Sequence, residues 1–196
     1  MADPSALIER LTKTAWARSP RAVEGEALSD LTDLRYLDFT NAPPEEGGVR
    51  QHGYQAYLPY GEAPAVVQEF GDKWIEHLSR AASAEGLPRI PAFNEASWFR
   101  YPEGVGYITA HLDPLVFRGV IAILSLTGSA LFRVWEGKSI QAIQVAAGDL
   151  VLVCGTDWPN SAARGPRHEV HPPTDEDRLI MTLRHNARGA NGGYDV

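Results

Sequence analysis

The sequence is short of cysteine, of long apolar runs and of basic charge, and each shortage removes a class of protein. One cysteine, Cys154, in 196 residues cannot form an internal disulfide, which excludes a disulfide-stapled scaffold and any zinc site built on several thiolates. The longest apolar stretches are strand-sized, well below the roughly 20 residues of a bilayer-crossing helix. The opening MADPSALIERLTK lacks an apolar core of signal-peptide length, so no membrane partner is expected and the chain reads as cytoplasmic. Eighteen Lys and Arg against 25 Asp and Glu leave a net charge of −7, a poor balance for a protein whose main task is gripping phosphate backbones. Long-period repeats and low-complexity tracts are also missing, which sets aside solenoids and propellers.

What is present is globular: 44% hydrophobic and 22% charged residues, at a length that suits one domain spanning 1–196. About 1–64 read as an N-terminal helix and a loop that could lid a substrate, and 65–188 as a helix plus a strand-rich core. Asp3 is a plausible cap with Pro4 at the first helical position, followed by Leu7, Ile8 and Leu11 on one face. From Thr40 to Pro64, Gly, Pro and Tyr predict loop with brief extended pieces. Val67, Phe70, Trp74, Leu78 and Ala81 predict a helix over Ala65–Glu85, stopped by Gly86. Strands are expected at Ala96–Tyr101, Val120–Leu126, Ala130–Trp135, Ile140–Val145, Leu150–Val153 and Arg178–Leu183. Helices followed by antiparallel-looking strands indicate an α+β fold, a sandwich or jelly roll supported by helices on one side.

Within the strand-rich half sits His111-Leu112-Asp113. Residues i and i+2 of a strand share a face, so this imidazole and carboxylate can reach one metal. His168, in Arg167-His168-Glu169-Val170, supplies a third ligand. His171 is its rival, disfavoured because His168-Glu169-Val170 reads as a strand entering the core and His171-Pro172 as an exposed turn. Two histidines and one carboxylate on one face of an octahedron leave three positions open, the arrangement of non-haem Fe(II) oxygenases. Arg178 opens the apolar strand RLIMTLR; a buried guanidinium needs an anion, which a dicarboxylate cosubstrate would provide.

With these residues placed, the sequence resembles the Fe(II)- and 2-oxoglutarate-dependent dioxygenases, and within them the AlkB-like branch, over about Gln68 to Arg188. The resemblance rests on EHLSRAASAEGLP leading into FNEASWFRYPEGVGYITAHLDP, on VIAILSLTGSALFRV followed by AAGDLVLVCG, and on RHEV followed by RLIMTLR. The two arginines of RLIMTLR, six positions apart, match the family's R-x5-R. The resemblance implies a double-stranded β-helix, the cupin-like jelly roll, with supporting N-terminal helices. It implies that His111, Asp113 and His168 bind Fe(II) as the catalytic centre, and that Arg178 pairs with the distal carboxylate of 2-oxoglutarate, helped by the Tyr101 hydroxyl. Arg184 would lie near the metal-proximal end of the cosubstrate or the substrate. The reaction implied consumes O2 and 2-oxoglutarate, releases succinate and CO2, and hydroxylates a C–H bond; on an N-bound carbon the hemiaminal collapses and the outcome is N-dealkylation. Asp113 argues against a halogenase, which needs a small residue there.

Two departures from the family pattern bear on substrate. Phe99 stands where nucleic-acid repair members have Asn two residues before the Tyr, and Pro114-Leu115-Val116-Phe117 replaces the acidic residues that read a damaged base. Tyr54, Tyr57 and Tyr60 fall where AlkB-like proteins carry a substrate lid, and read either as substrate contacts or as cover for the core. Trp135 reads as packing or as a substrate contact at the barrel rim. Phe132 and Trp98 read as packing, Cys154 as a small buried hydrophobe, and His52, His77 and His185 as surface or satisfied residues. Lys138, Arg118, Arg133, Arg164 and Arg167 are charges that could border a pocket mouth. The acidic balance and the lost base-reading segment favour a small-molecule substrate. Demethylation of alkylated nucleobases in DNA or RNA is the alternative, and a ligand-binding barrel without turnover is the third reading.

Overall fold

The computed structural model describes residues 2–160 and 163–189. Asp3 accepts a hydrogen bond from the Ser5 N–H at 3.1 Å and caps α1 (Pro4–Thr14), which ends where Ala15 turns left-handed. The chain continues through β1 (Trp16–Ser19), α2 (Glu26–Thr32), β2 (Thr40–Asn41), β3 (Glu45–Glu46), β4 (Val49–His52) and β5 (Tyr54–Pro59) to the long helix α3 (Ala65–Ala84). Eight strands follow: β6 (Glu95–Tyr101), β7 (Tyr107–His111), β8 (Phe117–Thr127), β9 (Ser129–Glu136), β10 (Ser139–Ala146), β11 (Leu150–Cys154), β12 (His168–Val170) and β13 (Arg178–Asn186).

These strands form two antiparallel sheets, ordered β1-β11-β8-β13-β6-β5-β2 and β10-β9-β12-β7-β4-β3. The result is the expected α+β double-stranded β-helix. Period-two alternation sorts the larger sheet's side chains. Along β8, Val120, Ala122, Leu124 and Leu126 join the cluster under the helices, with Leu7, Ile8 and Leu11 of α1 and Val67, Trp74 and Leu78 of α3. Ile121 and Ile123 point the other way, into the space between the sheets, with Phe132 and Val134 of β9 and Val170 of β12. Both faces of β13 are covered, which is why RLIMTLR reads as an almost unbroken apolar run. Cys154 is buried under α1, and burial pushes its thiol up to about 12.

The Gly148-Asp149 turn shows how tightly the larger sheet is tied to the N-terminal region. Gly148 has φ 86°, and a Cβ there would lie 2.4 Å from the Val23 carbonyl oxygen. The Asp149 carboxylate accepts from Arg18 Nη2 at 2.6 Å, from the Arg21 N–H at 2.9 Å and from the Ala146 N–H at 3.0 Å.

Two expectations need correction. The stretch from Thr40 to Pro64, expected as loop with brief extended pieces, is more strand than loop, because β5 pairs along its whole length with β6 and β4 pairs with β7. The division at residue 64 therefore does not separate a lid from a core: β1 and β5 belong to the larger sheet and β4 to the smaller. The short elements β1 and α2 were not expected; α2 has seven residues and one buried side chain, Leu31, too little to register as periodicity.

Candidate active site

Between the sheets lies a cavity of about 670 Å³ whose lining follows from strand alternation. Arg178, Ile180, Thr182 and Arg184 of β13 face it, as do Phe99 and Tyr101 of β6 and Gln55 and Tyr57 of β5. From the smaller sheet come His111, Phe132, His168 and Val170.

His111 closes β7 and His168 opens β12; they are cross-strand partners, with ring centroids 4.4 Å apart. Asp113 lies two residues past the end of β7, so the turn after the strand, rather than strand alternation, brings its carboxylate back. One donor atom from each of the three residues lies within 4.8 Å of the others, and His168 Nε2 stands 3.9 Å from Asp113 Oδ2. Each imidazole has its Nδ1 on a backbone carbonyl: His111 on Thr109 at 2.9 Å and His168 on Pro166 at 3.0 Å. A carbonyl only accepts, so Nδ1 carries a proton and Nε2 is the nitrogen turned toward a metal, the orientation a ligand requires. Burial, and then the neighbouring His168, push the His111 imidazole down to about 4 and keep it neutral. Phe132 stacks on His168 at 5.6 Å. Asp113 Oδ2 is buried with no hydrogen-bond partner among the described residues. Two imidazoles presenting Nε2 and a carboxylate oxygen without a partner among the described residues are a donor set that fits a divalent cation.

Arg178 is 1% exposed. Its Nη2 donates to Ser125 Oγ at 3.0 Å, while Nε and Nη1 are buried without partners among the described residues. Burial pushes the guanidinium down to about 10, so it remains charged at neutral pH. Tyr101 sits opposite it in the β6–β13 register, its phenol pushed up to about 12 by burial. A buried cation with two idle donors and a protonated hydroxyl beside it fit a carboxylate.

Arg184 faces the same cavity but is already engaged. Its Nε donates to Glu95 Oε1 at 2.5 Å, and its guanidinium lies 4.0 Å from the Phe117 ring centroid and 5.7 Å from that of Tyr57. Asn186 Nδ2 donates to the other Glu95 oxygen at 3.0 Å. Glu95 was not singled out from sequence; only its pairing with a residue 89 positions away reveals it. Removing its charge strands a buried guanidinium, and Glu95→Gln is expected to cost about 3 kcal/mol of stability, measured by urea unfolding.

Of the three tyrosines, Tyr57 reaches the cavity. Tyr54 lies on the opposite face of β5 beneath the Arg100 guanidinium, 4.6 Å away. Tyr60 is buried with its hydroxyl on the Gln68 carbonyl at 2.7 Å and near Asp72 Oδ1 at 3.0 Å, a role in fastening α3. Trp135 is on the outward-facing row of β9, flanked by Arg133 and Arg167, away from the cavity lining. His171 also stays outside that lining, 3.0 Å from Glu169 Oε1. Phe132, read as packing, does line the cavity, and so does Arg164.

No protein-family model and no curated protein matches the sequence. Solved structures share its fold. A Pseudomonas putida prolyl-4-hydroxylase aligns over 94% of this chain and 100% of its own, with TM-score 0.69 and 20% identity. An oxidoreductase of the 2OG-Fe(II) oxygenase family from Burkholderia pseudomallei covers 97% and 93%, with TM-score 0.64 and 14% identity. OsALKBH1 covers 87% and 98%, with TM-score 0.62 and 14% identity. At such identities the likeness is one of fold, and it does not single out the AlkB-like branch.

Proposed function

We propose that this chain is an Fe(II)- and 2-oxoglutarate-dependent dioxygenase that hydroxylates, or oxidatively N-dealkylates, a small-molecule substrate with release of succinate and CO2. One observation carries the reading: a single cavity holds a buried carboxylate oxygen without a partner beside two Nε2-presenting imidazoles, together with a buried guanidinium that has two idle donors. Unpaired buried charge is costly, and a bound cation and a dicarboxylate would relieve both sites together. Its fold neighbours include a protein of the 2OG-Fe(II) oxygenase family.

In this reading His111, Asp113 and His168 hold the metal, and the Thr109 and Pro166 carbonyls orient the imidazoles. Arg178 and Tyr101 bind the distal carboxylate of 2-oxoglutarate, with Ser125 orienting the guanidinium. Ile121, Ile123 and Phe132 form a dry wall around the reacting end. Fe(II), when bound with the 2-oxo acid, supplies oxygen activation at its open positions. The Glu95-bound Arg184 shapes the wall with Phe117 and Tyr57.

The cavity volume lies in the range of drug-sized ligand pockets, roughly 300–1,000 Å³, leaving room for a substrate beside the five-carbon cosubstrate. The test is succinate formation by anaerobically iron-loaded protein given 2-oxoglutarate and O2. It is run alone and with small acids and amines, methylated nucleosides and oligonucleotides, and proline-containing peptides. Iron-dependent succinate, stimulated by a small molecule, is the expected result. Stimulation by a methylated oligonucleotide would shift the reading to the nucleobase demethylation suggested by the AlkB-like resemblance, and by a peptide to the prolyl hydroxylase neighbour. No succinate and no metal-dependent 2-oxoglutarate binding would overturn the reading.

A further inference from the structure

Gln55 and Tyr57 are two residues apart on β5, so strand alternation puts them on one face, and both line the cavity. Four side chains join there into one hydrogen-bond chain. At its buried end the Glu95 carboxylate accepts from Arg184 Nε at 2.5 Å. The Arg184 guanidinium also donates to the Tyr57 hydroxyl. That hydroxyl in turn donates to Gln55 Oε1 at 3.2 Å.

The direction of the chain is set at Tyr57. A guanidinium only donates, so the phenol oxygen accepts on that side and its hydrogen is left for Gln55. Burial outweighs the Arg184 charge and raises the phenol above its ordinary value, so the hydrogen is present at neutral pH. The amide therefore turns its carbonyl oxygen to Tyr57. The reverse orientation would bring a second donor to the phenol oxygen and leave the phenol hydrogen without an acceptor. What Gln55 presents is Nε2, with two N–H donors and no partner among the described residues.

The topology places this donor. β4 and β5 succeed each other across Gly53 and carry the chain from the smaller sheet to the larger, closing one side of the cavity. β5 lies two strands from β13, about 10 Å at ordinary strand spacing, so Gln55 stands apart from the Arg178 end. Pro43, Val49 and Phe99 supply apolar surface on this side. The Gln51 side-chain amide also lines it and, with no hydrogen bond among the described residues, can turn to donate or accept. Glu46 lines it too, close enough for its charge to act on the Tyr57 hydroxyl, and opposes an anion there.

We infer that Gln55 sets substrate specificity: the substrate lays a neutral carbonyl oxygen, that of a ketone, ester or amide, against Gln55 Nε2. Tyr57, Arg184 and Glu95 are positioning residues that hold the amide in its donating orientation. Calling the ligand a substrate rests on the dioxygenase reading; the donor site does not.

The test uses ring compounds of one shape: cyclohexanone as acceptor, methylenecyclohexane as neither donor nor acceptor, cyclohexylammonium as donor and cyclohexanecarboxylate as anion. Dissociation constants are measured by ligand-observed NMR with Zn(II) and 2-oxoglutarate, and again without either, so that binding is read without turnover. Relative to methylenecyclohexane, cyclohexanone should lose about fivefold in Gln55→Leu, the size of one neutral hydrogen bond. Gln55→Glu exchanges the donor for a charged acceptor, so preference should move from cyclohexanone toward cyclohexylammonium by about tenfold or more. Tyr57→Phe frees the amide to turn, and its ketone-to-ammonium ratio should fall between those of the parent and Gln55→Glu. A merely structural role for Tyr57 would weaken all probes alike and would overturn the positioning chain. No binding of cyclohexanone to the parent, ratios unchanged in Gln55→Leu and Gln55→Glu, or tighter binding of the carboxylate than of the ketone would each overturn the inference. Succinate formation without these ratio shifts retains the dioxygenase and removes the role of Gln55. Ratio shifts without metal-dependent 2-oxoglutarate binding do the reverse.

Discussion

Replacing Arg178 by Met is expected to make the ligand-free protein more stable while lowering its affinity for 2-oxoglutarate by about two to four orders of magnitude. The two effects share one cause. The Arg178 guanidinium is buried and, among the described residues, has one partner in Ser125 and keeps Nε and Nη1 without acceptors. Leaving a buried donor unsatisfied costs about 1–3 kcal/mol, and replacing an unpaired buried charge by an apolar side chain of similar length removes that cost. Two such donors are relieved, and against this stands the loss of one hydrogen bond to Ser125, about 1 kcal/mol, so unfolding in urea without ligand should show a net gain of about 1–5 kcal/mol. With ligand the order reverses. Breaking a buried charge pair by removing one partner costs about 3–5 kcal/mol, which sets the expected loss of affinity, measured by anaerobic titration of the metal-loaded protein with 2-oxoglutarate. At a hundredfold excess over Kd, 2-oxoglutarate should stabilise the parent by about 2.7 kcal/mol and the variant hardly at all. Unchanged affinity would remove Arg178 from the cosubstrate site. A large loss of ligand-free stability would show that its donors are satisfied without the cosubstrate.

The reach of sequence reasoning can be traced along β13. Arg178 and Arg184 are an even number of residues apart, so a strand must put them on one face, and both do face the cavity. What Arg184 does on that face depends on Glu95, and no local pattern announces a pairing across 89 residues. The six strands expected after the long helix are all present, each extended by up to three residues at an end, because alternation and flanking turn residues are local signals. Tyr54–Pro59 escaped for the opposite reason. It is flanked by Gly53 and Gly61 and ends in proline, and its pairing with β6 and β2 makes it a strand. The same pairing decides the tyrosines: Tyr57 shares the cavity-facing row with Gln55, and Tyr54 falls on the other. For Asp113 the expected neighbourhood with His111 is present but the reason differs, since the strand stops at His111 and a turn supplies the approach. The choice of His168 over His171 was legible because His168-Glu169-Val170 does form a strand, buried at both ends.

Asp113→Ala should abolish metal binding while leaving the metal-free fold intact, and this contrast identifies the ligand set more sharply than loss of activity would. Among the described residues Asp113 Oδ2 has no hydrogen-bond partner, and His168 Nε2 stands 3.9 Å from it. Removing a carboxylate that the fold does not satisfy costs little, so the urea midpoint of the empty variant should equal or exceed that of the parent. With Mn(II) or Fe(II) the carboxylate is the only anionic donor among the three, and its loss should exceed the roughly 10–100-fold penalty for removing an outer partner of a metal ligand. The stabilisation by metal seen in the parent should therefore disappear. His171→Ala supplies the control. His171 lies outside the cavity against Glu169 and Arg133, a partly exposed contact of the kind worth about 0–1 kcal/mol, and its removal should leave metal affinity unchanged. If His171→Ala loses the metal and His168→Ala keeps it, the distal ligand has been misassigned. If Asp113→Ala keeps it, the buried carboxylate needs another partner, and the dioxygenase reading loses the cation that relieves its charge.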